Sequence, residues 1–141
     1  AAAPAPPAAA SPAKSAYDYR HEVFESLGKH MKSLSFFAKG TLEPRTPDLV
    51  AHATAIHQMS TLVPALFPAG SGPDAVPETE ALASIWADPA AFAARSEAFQ
   101  TESAALVEIA KGGDINAFKA QLGKVGGTCG DCHDGFRKDD D

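Results

Sequence analysis

From Ile115 onward the apolar side chains fall at Phe118, Leu122, Val125, Cys129, Cys132 and Phe136, steps of three and four that belong to one face of an α-helix and not to a strand. A helix with so continuous a stripe must bury it against other helices. The chain's two cysteines both lie on that stripe, within "TCGDCHDGF", Thr128 to Phe136, and His133 follows the second of them directly.

The preceding sequence supplies the helices to pack against. Between Ser15 and about Lys39, apolar residues recur at Val23, Phe24, Leu27, Met31, Leu34 and Ala38, and Gly40 provides a stop. A second helix is expected from "TPD", with Thr46 as its cap and Pro47 in the first turn. Leu49, Ala53, Ile56, Ser60 and Val63 form its stripe, and it ends near Leu66. "PAGSGPDAVP", Pro68 to Pro77, is turn chemistry and reads as an irregular loop. A short turn around Trp86 and a restart at "DPAAF", capped by Asp88, lead into a third helix that carries Phe92, Phe99, Leu106 and Ile109 and closes at Gly112 and Gly113. The last helix starts at Asp114. No window alternates as a strand does, so the expected fold is all-α, an antiparallel up-down-up-down four-helix bundle.

The remaining composition sets outer limits. With 141 residues, 45% of them hydrophobic, the chain suits a single domain over residues 15–138 that can bury a core without disulfides. Its formal charge of −6 provides no basic footprint for nucleic acid, and no apolar run is long enough to span a bilayer. Residues 1–14, opening "AAAPAPPAAASPAK", have no apolar pattern and read as a flexible tether. Their small residues are compatible with cleavage after export. Residues 139–141 read as a solvated acidic tail.

Cys-x-x-Cys-His is a c-type haem attachment pattern, and helix geometry explains the spacing. Two thiols three residues apart share a face, so each can add to one vinyl group of the same haem, while the adjacent imidazole meets the iron. Competing chemistries fit less of the pattern. A structural zinc site needs four ligands and the chain has no third cysteine. A thioredoxin-like redox pair belongs after a strand, and a disulfide three residues apart on one helix closes almost no loop.

Small electron-carrier cytochromes c have the motif near the N-terminus and take a methionine ligand from far downstream; here nothing suitable follows. The sequence instead resembles the cytochrome c′ family from about Tyr19 to Lys138, through "YRHEVF", "SIWADPAAF", "EAFQ" and "CGDCHDGFRK". The resemblance implies one covalent haem c held by Cys129 and Cys132, with His133 as the proximal iron ligand. It places Arg20 near a haem propionate and His21 at the next haem contact, where glutamine is more usual. It makes Glu80 a haem-edge contact and Arg137 the arginine one turn after the proximal histidine, with Trp86 and Phe92 packing near the haem. Phe24 takes the position that covers the open iron face. Antiparallel geometry agrees: His133, near the end of the last helix, stands level with the early turns of the first, where Phe24 lies.

Phenylalanine cannot ligate iron, so the expected site is five-coordinate, with an apolar distal face that favours small neutral gases such as nitric oxide and carbon monoxide. The alternative is an electron carrier for a redox partner, with His21 as a possible sixth ligand. Without an acid–base pair or nucleophile constellation beyond the haem, no enzymatic activity is expected. The resemblance further implies a periplasmic protein and a homodimer. His30, His52 and His57 read as surface or satisfied histidines, and Met31 lies about two turns beyond Phe24, too far to share its iron.

Overall fold

Ser11 and Pro12 start the first helix. In the computed structural model, which describes residues 11–139, α1 runs Pro12–Ala38, and the Ser11 hydroxyl accepts the Lys14 N–H at 3.1 Å. Proline in the first turn needs no N–H partner. The helix therefore begins ahead of the expected Ser15, and residues 12–14 belong to it and not to the tether. The rest of the tether, residues 1–10, and tail residues 140–141 lie outside the described residues. Gly40, at φ +79°, ends the helix as its sequence suggests.

Helix α2 spans Thr46–Ser60. Arg45 occupies the cap position and no side chain caps the helix, so the expected Thr46 cap is not formed. The helix also stops earlier than expected. A 3₁₀ turn at Val63–Ala65 carries the chain to Leu66, since Pro64 has no N–H to continue an α-helix. One turn, α3 (Ser84–Ala87), precedes α4 (Pro89–Gly112), whose first turn is capped by Asp88 through the Ala91 N–H. Gly113 sits at φ +74°, and Asp114 then accepts the N–H groups of Asn116 and Ala117 to start α5 (Ile115–Phe136).

The four long helices make the bundle. Helix α4 packs on both α5 and α2, and α2 packs on α1. Leu34, Leu49, Ala53, Ile56, Leu106, Phe118 and Val125 are fully buried at the centre. A small polar network sets the α2–α4 register: Ser103 Oγ donates to Ser60 Oγ at 3.1 Å and lies 3.1 Å from His57 Nδ1. Helices α1 and α5 approach each other far more sparsely. The loop before α3 closes that end of the bundle, because Leu82 N donates to the Phe136 carbonyl at 2.9 Å and Lys138 N to that of Glu80 at 2.8 Å.

Candidate cofactor-binding site

Where α1 and α5 separate, a cavity of about 570 Å³ opens between them. It falls within the usual range for a bound small molecule or cofactor, about 300–1,000 Å³. Cys129, Cys132, His133 and Phe136 of α5 face it across from Arg20, His21, Phe24 and Met31 of α1. Phe67, Phe92 and Phe99 contribute apolar wall.

The α5 wall carries the reactive groups. Cys129 and Cys132 are free and pack against the apolar core while lining the cavity. Burial raises both thiol pKa values. Smaller effects act beside burial: a backbone hydrogen bond and the Thr128 hydroxyl pull Cys129 down, and Cys132 is raised by Cys129 and lowered by Arg95. Both therefore stay protonated at neutral pH. His133, one residue further along the helix, lines the same space.

Arg20 is the most consequential side chain of the α1 wall. It is only 3% exposed, buried and not a solvated surface charge. Its guanidinium donates to Ser71 Oγ at 2.9 Å, to the Ser71 carbonyl at 2.8 Å and to Thr79 Oγ1 at 3.0 Å, and lies 5.0 Å from the Phe67 ring centre. Burial lowers its pKa, yet arginine remains charged. Among the described residues no carboxylate pairs with it. A buried cation at a cavity wall, held by neutral acceptors alone, suits an anionic group on whatever fills the cavity.

Phe24, although on the apolar stripe, is 37% exposed, because it faces the cavity and not the core. Its ring centre lies 6.1 Å from that of Phe67. His21 lines the rim, exposed, with Nε2 3.7 Å from Glu25 Oε1. Glu80 and Arg137 also line the cavity and pair with each other, Arg137 Nη2 to Glu80 Oε2 at 2.6 Å, which anchors the end of α5 to the loop.

Trp86 is the exception. It does not line the cavity but stands behind Phe67, 6.0 Å between ring centres, with its indole N–H donated to the Phe67 carbonyl at 3.1 Å. The sequence placed Trp86 near the site from its motif, whereas Phe67, which does face the cavity, follows the end of α2 and belongs to no periodic pattern. Tyr17 was also not singled out, although its place one turn before Arg20 puts it on the same helix face.

Two thiols, an imidazole, an apolar interior and a buried guanidinium fit a single dianionic haem better than a bare metal ion. Among the described residues, no group of three or more His, Cys, Asp or Glu could hold one. Comparison with known proteins agrees: the family model for cytochrome c′ matches residues 15–137. The chain belongs to the cytochrome c′ family. It is 35% identical over 121 residues to the cytochrome c′ of Pararhodospirillum photometricum, covering 86% of this chain and 94% of that protein. A variant of cytochrome c prime from Alcaligenes xylosoxidans in complex with nitric oxide superposes with a TM-score of 0.83 at 28% identity, covering 90% of this chain and 97% of that one. A carbon monoxide-bound variant of the same protein gives a TM-score of 0.84 at 27% identity, covering 92% and 98%. Cytochrome c′ membership implies a haem c cofactor. Among the described residues no helix is long and apolar enough to cross a membrane.

Proposed function

We propose that this cytochrome c′ carries one haem, attached through Cys129 and Cys132 and ligated by His133, and binds small neutral gases at a five-coordinate iron. The observation that carries this reading is the asymmetry of the cavity: thiols and imidazole on the α5 wall, a phenylalanine on the facing α1 wall. When bound, the haem supplies the iron at which a diatomic gas coordinates.

The chain's residues do the rest. Cys129 and Cys132 would hold the haem covalently, each thiol contributing its sulfur to one carbon of a vinyl group and its hydrogen to the other, with no leaving group and no oxidant required. The Arg20 guanidinium would hold a haem propionate. Phe24 and Phe67 exclude water and offer no hydrogen bond, which suits nitric oxide and carbon monoxide better than dioxygen or anions. The role is capture and not turnover, in the periplasm and as a homodimer.

The test is a spectrum with and without ligand. The purified protein should exceed its polypeptide mass by one haem that resists acid–acetone extraction, be high-spin in the ferric state, and bind nitric oxide when reduced. Extractable haem or a low-spin ferric spectrum would overturn the reading. A second reading, an electron-transfer protein with a six-coordinate haem, rests on His21, which shares the cavity one turn from Phe24. It requires a low-spin wild type that becomes high-spin in His21→Gln.

A further inference from the structure

Two histidines meet outside the cavity. His30 of α1 and His52 of α2 approach with their Nδ1 atoms 2.9 Å apart and ring centres 5.2 Å apart, inclined at 57°. Both are half-buried at the α1–α2 seam, and neither lines the cavity. His30 is six residues beyond Phe24, roughly 9 Å further along α1.

Such a contact requires one ring to donate its Nδ1 hydrogen and the other to accept, so the accepting imidazole is neutral there. Burial and the neighbouring His52 each lower the pKa of His30, which leaves its ring unprotonated and able to ligate at neutral pH. Moving the shared hydrogen to the donor ring's Nε2 releases no proton and leaves a free lone pair on each Nδ1, and a turn of the two rings off the line between these nitrogens aims both at one ion.

The spacing discriminates among metals. Bonds of about 2.0–2.1 Å meeting at about 90° place two nitrogens about 2.9 Å apart, whereas a tetrahedral angle requires about 3.4 Å. The right angle is that of neighbouring positions in a tetragonal site, which copper(II) and nickel(II) prefer, with copper(II) the tighter of the two. We propose that His30 and His52 chelate one divalent late first-row metal ion, copper(II) before nickel(II), and so tie α1 to α2. Among the described residues no third His, Cys, Asp or Glu joins them, so water completes the coordination and the ion stays exchangeable.

The experiment is a calorimetric titration of the haem-loaded ferric protein with copper(II) chloride in a non-chelating buffer. One copper per chain should bind in a step that disappears in both His30→Gln and His52→Gln, and copper should raise the melting temperature of the wild type but of neither variant. A readout without mutation is the copper EPR signal, which should carry hyperfine splitting from two nitrogens. An unchanged isotherm in either variant, or splitting from fewer than two nitrogens, overturns the proposal and leaves the pair as an interhelical hydrogen bond.

Discussion

Phe24 and Arg20 face one cavity from one helix, and their substitutions should separate cleanly. Phe24→Ala removes a ring that is partly exposed, so its stability cost should fall below the ~3–5 kcal/mol typical of a buried Phe→Ala. Its functional effect should be larger: faster carbon monoxide association in flash photolysis, with water reaching the ferric iron. Arg20→Met should do the reverse. It removes three hydrogen bonds from a buried cation, each worth about 1.5–3 kcal/mol at most, while the hydroxyls of Ser71 and Thr79 keep partners in the Pro68 carbonyl and Ala81 N–H. A net loss of about 2–4 kcal/mol in urea denaturation is expected, with carbon monoxide association changed less than in Phe24→Ala. Cys129, Cys132 and His133 were legible because the motif itself encodes their geometry. The burial of Arg20 was not, since it depends on a Gly/Pro-rich loop whose path no periodicity specifies.

That loop shows where element-level reading succeeds and where it stops. Caps at Asp88 and Asp114 and breaks at Gly40 and Gly113 are local chemistry, and the helices start and stop there as expected. Thr46 fails as a cap because the helix begins one residue earlier, around Arg45. The segment from Pro68 to Leu82 has no repeating pattern, so its docking on the end of α5 emerges in three dimensions alone. Two backbone hydrogen bonds and the Glu80–Arg137 pair make that junction. The side-chain pair is solvent-accessible, so Glu80→Gln should cost under about 1 kcal/mol. Amide exchange should quicken at Arg137 and Lys138 but not at Val125, because the main-chain bonds persist. Equal acceleration along α5 would mean that the ion pair holds the whole helix.

At the scale of the molecule, three of the four seams of the bundle are closed by packed side chains, and the α1–α5 seam is spread around the cavity. The helix count and their order followed from periodicity, but the uneven closure did not, because a stripe shows that a face is apolar and not what covers it. Phe24, Met31, Cys129 and Cys132 all fall on apolar stripes, and all four line the cavity. The stability of the bundle should therefore be linked to haem in a graded way. A Cys129→Ser, Cys132→Ser double variant stripped of haem retains the packing of α2 against α4 and of α4 against α5, so its far-ultraviolet circular dichroism should remain helical. Its melting temperature should fall by more than about 10 °C, as expected when a tight ligand that binds the folded state alone is withdrawn. The apolar dye ANS should bind along the exposed seam. Adding free haem should reverse both changes by mass action, and do so less well in Arg20→Met, which lacks the cation for a propionate. A haem-free variant that melts as the wild type does, without binding dye, would show that α1 and α5 close on each other unaided.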